Sequence, residues 1–205
     1  MSTTKDGTNG NDGENTLGMT RGYIVQSCIA YVDRTYDAAT RARIHAGLPA
    51  EVKALAGRHN PVDWYPRIHT TAFFRAIALN EPSDDDAYRA LFRCGRSIAE
   101  TATHTFMKQV MKIISPALFT KKVSDLWARD HRGGRLTADA ARLDENRLTV
   151  HLTDIEGFDY VAPTASGYFC YAFEAMGKTD VECVLTGWSM QKPGPRDVAF
   201  DLKWK

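Results

Sequence analysis

The 205-residue sequence predicts an α+β domain, an N-terminal bundle of about five helices packed on a C-terminal four-stranded antiparallel sheet with β-β-α-β-β order. Three observations predict it. Apolar residues recur at helical spacing through the first two-thirds of the chain, and the period then switches from 3.6 to 2 after the double glycine Gly133-Gly134. One helical stretch, "APTASGYFCYAFEAMG", falls between two pairs of alternating strands.

Residues 1 to 18 carry almost no apolar side chains, too little burial to offset the entropy of ordering them, and are expected to be a disordered tail before a single domain over 19–205. From Thr20, Ile24, Cys28, Ile29, Val32 and Tyr36 mark one helix face reaching towards Ile44 and ending before Gly47. "PAEVKALAG" adds a short helix, and "HNPVDWYPR" reads as a loop held by two prolines. The next helix is predicted from Pro66 to about Leu79, with Ile68, Ala72, Phe73, Ala76 and Ile77 inward. Ser83 with Asp86 three residues on signals a capped start, and three aspartates there complement the positive helix end. Leu91, Gly95, Ile98, Ala102, Phe106, Val110 and Ile113 hold helical spacing in the expected central helix, which Pro116 would end. Gly95 would permit close packing. A helix from Leu118 to Asp130 turns Phe119, Val123, Leu126 and Trp127 inward and stops at the glycines. Beyond them, "GRLTADAARL" and "NRLTVHLTD" form one expected hairpin through "DEN", and "DVECVLTGWSM" and "DVAFDLKW" a second through "QKPGPR".

Composition narrows the function. Twenty-six Lys and Arg against 25 Asp and Glu leave a charge of +1, so no summed field draws in nucleic acid or an anionic membrane face. No run approaches the ~20 apolar residues of a membrane span, and the opening lacks a basic and apolar leader pattern, so the expected location is the cytoplasm. Cys28, Cys94, Cys170 and Cys183 lie far apart with no C-x-x-C and read as buried thiols in a reducing compartment. Neither G-x-G-x-x-G nor G-x-x-x-x-G-K occurs, and Ser166 lacks the glycines of a nucleophile elbow, which leans the reading away from an enzyme.

The stretches "GYIVQSCIAYVDRTY", "FRCGRSIAETATHTFM", "VSDLWARDHRGG" and "GFDYVAPTASGYFCYAFEAMG", with the "YP" opening the third helix, resemble a Myxococcales-restricted family of no assigned activity, over nearly all of residues 22 to 204. More distantly, the element order looks like the haem-nitric-oxide-binding domain and the 4-vinyl reductase domain. That resemblance implies this architecture and a pocket. In the haem-binding branch the proximal histidine follows a leucine in the helix after the central one. Here Leu126 is followed by Trp127, which cannot ligate iron. The branch's Tyr-x-Ser-x-Arg signature is also unmatched, since "YVAPTASGYF" supplies Tyr160, Ser166 and Tyr168 without the arginine. The expectation is therefore no cofactor.

Three constellations could carry chemistry. Trp64, Tyr65, Phe73, Phe106, Trp127 and Tyr168, with Phe74, Phe169 and Trp188, could line an apolar ligand pocket between helices and sheet or simply fill the core. A cavity of about 300 Å³ or more would favour the pocket. Arg129, His131, Arg132 and Arg135 around the glycine amides could hold an anion, or they could offset a helix C-terminus and turn a corner. His131, beside the glycines, would then face solvent. Glu100 and His104 share a helix face, but two ligands do not make a metal site. His45, His59 and His69 read as single surface or loop residues.

The function these features favour is a non-enzymatic cytoplasmic sensor or adaptor, binding a small apolar ligand or a protein partner where helices meet sheet. The alternatives are a haem-based gas sensor, with His104 or His131 as the axial ligand, and a homodimeric interaction module.

Overall fold

The structure, a computed structural model, describes residues 18–55, 57–102, 114–155, 159–194 and 197–205. The tail, His104, Phe106, Val110, Ile113 and part of the "QKPGPR" loop lie outside the described residues.

Strand β1 (Met19–Arg21) leads into α1 (Gly22–Thr35), whose Ile24, Val25, Cys28, Tyr31 and Val32 form its buried face. The expected single helix towards Ile44 is two. Tyr36 turns to an extended conformation, and the Asp37 carboxylate accepts the Thr40 amide at 2.7 Å to cap α2 (Ala38–Ala46). After the short α3 (Ala50–Ala54), the expected "WYP" loop is instead β2 (Trp64–Pro66). Because Pro66 is paired with Met19, α4 begins two residues later than expected and spans Ile68–Leu79. Ile68 was expected inward, but at the start of α4 it is 41% exposed while His69, Thr70 and Thr71 are buried.

Helix α5 (Asp84–Ala102) starts as predicted, with the Asp86 amide donating to Ser83 Oγ at 3.2 Å and the Ser83 hydroxyl donating back to the Asp86 carboxylate at 2.6 Å. Pro116, expected to end the central helix, begins α6 (Pro116–Asp130), where a missing N–H costs nothing. Ser115 Oγ caps that helix by accepting the Leu118 amide at 3.2 Å. The strand β3 (His131–Arg132) follows directly. It pairs with β1, so the three short strands form a small sheet in the order β2-β1-β3 that the sequence did not predict.

Gly133 and Gly134 both take left-handed backbone, φ +76° and +75°, and redirect the chain into β4 (Arg135–Asp139). Strands β5 (Arg147–Thr153), β6 (Glu182–Thr186) and β7 (Val198–Lys203), with helix α7 (Val161–Ala175) between β5 and β6, complete the predicted β-β-α-β-β unit. The sheet is antiparallel throughout in the order β4-β5-β7-β6. Its alternation is the one read from the period of 2: Leu136, Leu148, Val150, Leu152, Val198, Phe200 and Leu202 are buried. Phe169 and Phe173 of α7 meet that face, their rings 5.1 Å from Phe200 and 4.9 Å from Trp204.

The tightest contact is between α5 and α7. A Cβ on Gly95 would lie 1.8 Å from the Thr164 carbonyl oxygen, and one on Gly167 would lie 2.0 Å from that of Phe92. The two backbones touch because neither glycine carries a side chain. Among the described residues, no helix is long and apolar enough to cross a membrane.

Candidate functional site

A cavity of about 140 Å³ opens where α1, α4, α5, α6 and α7 converge above β4. Its walls are apolar, built from Ile24, Phe74, Ile98, Phe119, Val123, Leu126, Val161, Phe169 and Met176, and its polar end is Tyr23, Arg129, Asp130, His131 and Tyr168. The volume is below the ~300 Å³ expected of a site for a drug-sized ligand, and close to the roughly 150 Å³ of an engineered apolar cavity that takes benzene or xenon.

The polar end is built on one ion pair. Arg129 donates to both carboxylate oxygens of Asp130, at 2.6 to 3.1 Å, and the Tyr23 and Tyr168 phenols share the same end of the cavity. Asp130 is only 8% exposed, and the Arg129 guanidinium is the partner its carboxylate has there. Burial, with the Asp130 charge beside it, pushes the Tyr168 phenol up to about 12, and burial raises Tyr23 as well. Both therefore remain neutral donors across the physiological range.

His131 was expected to face solvent. Instead its ring stacks on Trp127, centroids 4.0 Å apart and planes 21° from parallel, on the cavity wall. Burial depresses its pKa to about 3, against the pull of Asp130, so the imidazole is neutral. The corner that positions it is held twice: Arg67 donates to the carbonyls of Arg132 and Gly133 at 2.6 and 3.1 Å, and the Trp127 indole donates to Gly133 at 3.3 Å. The stretch "VSDLWARDHRGGRL" thus turns a corner and lines a cavity at once.

The sequence-derived residues divide. Trp127 and Tyr168 line the cavity. Trp64 does not; its ring lies between the guanidinium groups of Arg21 and Arg132, at 4.0 and 4.4 Å, outside the cavity. Tyr65 accepts the Asn60 amide at 2.9 Å and packs on His59, also away from it. Phe73 is fully buried against His45 in the core. It is the neighbouring Phe74 that reaches the wall. Phe106 lies outside the described residues.

Of the four residues considered for an anion, Arg129 is engaged with Asp130, His131 with Trp127, and Arg132 with Trp64, while Arg135 is exposed at the start of β4. They do not converge on one point. Glu100 is exposed on α5, His104 lies outside the described residues, and among the described residues no three His, Cys, Asp or Glu side chains cluster as metal ligands. His59 and His69, read as single surface residues, form a buried pair with Nε2 and Nδ1 2.9 Å apart. Tyr23, Asp130 and Met176 were not singled out, because they come from separated parts of the chain and no local pattern marks their convergence.

The fold is of the haem-nitric-oxide-binding, or H-NOX, class. An Fe(II) unliganded H-NOX protein from K. algicida is similar at TM-score 0.66 and 10% identity, over 90% of this chain and 96% of that one. An H-NOX protein from S. oneidensis in the Fe(II)NO ligation state matches at TM-score 0.56 and 12% identity, over 90% and 99%. An oxygen-binding H-NOX domain related to soluble guanylate cyclases, in its oxygen complex, matches at 0.57 and 14%, over 90% and 95%. No family model and no curated protein matches the chain. The likeness corrects the expectation of no cofactor, which rested on Trp127 following Leu126 and the unmatched signature: of the solved proteins that share this fold over almost their whole length, one is in an unliganded Fe(II) state, one in an Fe(II)NO state and one in an oxygen complex.

Proposed function

We propose that the chain is a haem-based gas-sensing domain, with the cavity at His131 as its cofactor and ligand site. The observation that carries the reading is the position of His131, a neutral imidazole on the wall of an apolar cavity in an H-NOX fold. Neutral imidazole is the form that ligates a metal. The imidazole donor and the apolar walls have the chemistry that holds a haem group. The cavity as it stands is smaller than a porphyrin, so loading has to enlarge it. When bound, haem supplies an iron able to take a diatomic gas. Trp127 would hold the His131 ring plane by stacking, and the aliphatic and aromatic walls would exclude water. Tyr23, Tyr168, Arg129 and Asp130 would keep the polar end hydrogen-bonded without adding a mobile proton.

Adding haemin to the reduced full-length chain is expected to give a Soret band that is lost or shifted in His131→Ala. His104→Ala tests the other axial candidate in the same way. No Soret band in the unsubstituted chain, or one unaffected by both substitutions, rejects the reading.

The cavity volume also favours a second reading, direct binding of a single-ring apolar ligand at the same place. Benzene titration monitored by methyl NMR would then shift residues such as Val123 and Leu126 without any haem present. Unchanged methyl resonances at saturating benzene reject it.

A further inference from the structure

The small sheet has two faces of different character. Because Met19 pairs with both Pro66 and Arg132, and Arg21 with Trp64, these five residues share one face, while Thr20, Tyr65 and His131 fall on the other. Thr20 is fully buried and His131 reaches the cavity wall, so the second face is the interior one. On the outward face the Arg21 and Arg132 guanidinium carbons lie 4.0 and 4.4 Å from the centroid of the Trp64 ring. Two cations crowd one half-buried indole.

Neither cation is neutralised. Among the described residues no carboxylate lies within ion-pair distance of Arg21 or Arg132, although Arg89, Arg96, Arg129 and Arg142 each have one. The backbone fixes both instead. The Arg21 guanidinium donates to the carbonyl of Arg129 at 3.2 Å and to that of Val62, and the buried Arg67 holds the strand under Arg132 by donating to its carbonyl at 2.6 Å. Val62, in the segment leading into β2, is 68% exposed.

We propose that this outward face binds an extended acidic segment of a protein partner, whose carboxylates are received by Arg21 and Arg132. Charge complementarity sets the sign of the partner: two like charges held against one ring repel, and an incoming anion relieves both. Geometry sets its shape. In an extended chain alternate side chains fall on one face about 7 Å apart, a spacing that brings two acidic residues to guanidinium groups around a single indole. Each planar guanidinium can take a carboxylate through two parallel hydrogen bonds. Tryptophan and arginine are also the residue types that carry most of the binding energy at protein interfaces, and Val62 adds apolar contact. Nucleic acid fits less well, since backbone binding draws on about 6–10 phosphate contacts and the whole chain carries a charge of only +1. The docking does not depend on a haem. It does reach the cavity, because His131 and Arg132 are consecutive in β3 and a partner held by Arg132 restrains the strand that carries the cavity histidine.

The test is fluorescence anisotropy of a fluorescein-labelled octapeptide of alternating glutamate and serine, titrated with the full-length chain at low ionic strength. The matching glutamine–serine peptide is the neutral control and needs no variant. Saturable binding of the glutamate peptide is expected, at least about tenfold tighter than that of the control and weakened by added salt. Arg132→Gln, at an exposed position, is expected to weaken it by about tenfold, while Arg75→Gln, which removes an exposed arginine of α4, leaves it unchanged. Failure to saturate by about 1 mM chain, equal affinity for the two peptides, equal effects of Arg132→Gln and Arg75→Gln, or tighter binding of a labelled oligothymidylate octamer would each overturn the proposal.

Discussion

Gly167→Ala is expected to lower the melting temperature by about 4–8 °C, a net loss of about 2 kcal/mol in a domain of this size. Two opposing terms set the sign. Alanine improves helix propensity over glycine by about 1 kcal/mol, and Gly167 sits mid-helix in α7, so that gain is available. The added methyl, however, would fall 2.0 Å from the Phe92 carbonyl oxygen of α5. That neighbour is helix backbone, which cannot rotate away as a side chain can. Overpacking of this kind costs about 1–3 kcal/mol and sometimes more, and the helices must separate to accept it. Gly95→Ala meets Thr164 in the same way at 1.8 Å and should behave alike. Gly47→Ala is the contrasting case: its backbone is right-handed helical, φ −74°, and its nearest neighbour would be 3.5 Å away, so it should be neutral or stabilising by up to about 1 kcal/mol. Differential scanning calorimetry on the three variants decides the matter. A Gly167→Ala melting temperature at or above that of the unsubstituted chain would mean α5 and α7 do not cross this closely.

The contact between α5 and α7 shows both what the sequence makes legible and what it hides. Gly95 in a helical run signals a close approach, because nothing local calls for glycine there. What it approaches is hidden, since Gly167 and Thr164 lie about seventy residues later in the chain. The same division holds elsewhere. The Ser83–Asp86 cap, the double-glycine corner and the alternating strands depend on neighbours in sequence and can be read directly. The break at Tyr36–Asp37 was readable in principle, since Asp37 stands three residues before Thr40 in a capping arrangement, but the continuing apolar spacing masked it. Pro116 was ambiguous by its chemistry: the ring that ends one helix is equally at home in the first turn of the next. The cavity is the least legible feature. The aromatics named from the sequence that line it, Phe74, Trp127, Tyr168 and Phe169, belong to three helices, and the other walls are ordinary core side chains whose arrangement around a void is a tertiary property.

Acid should destabilise the ligand-free chain well before its carboxylates protonate, and His131 should account for the largest single share. Burial holds the folded His131 near pKa 3, whereas the unfolded chain has an ordinary histidine near 6.5. Below pH ~6.5 the unfolded state therefore binds a proton that the folded state refuses, and stability falls as pH falls. The stabilisation is fully present above ~6.5 and is lost progressively down to the folded value, by up to about 1.4 kcal/mol per pH unit. Asp130 opposes the depression, while Arg67 and Arg129 add to it. His59 and His69 are also depressed by burial and add to the same limb, which is why the whole-chain slope alone cannot identify His131. His131→Phe keeps a flat ring against Trp127 and removes the proton site. Guanidinium unfolding at pH 7, 6 and 5 is expected to show a shallower decline in this variant than in the unsubstituted chain, with little change in slope above pH 7. Equal slopes between pH 6 and 5 would place the His131 ring in contact with water and remove the stacked, neutral imidazole on which its role at the cavity rests.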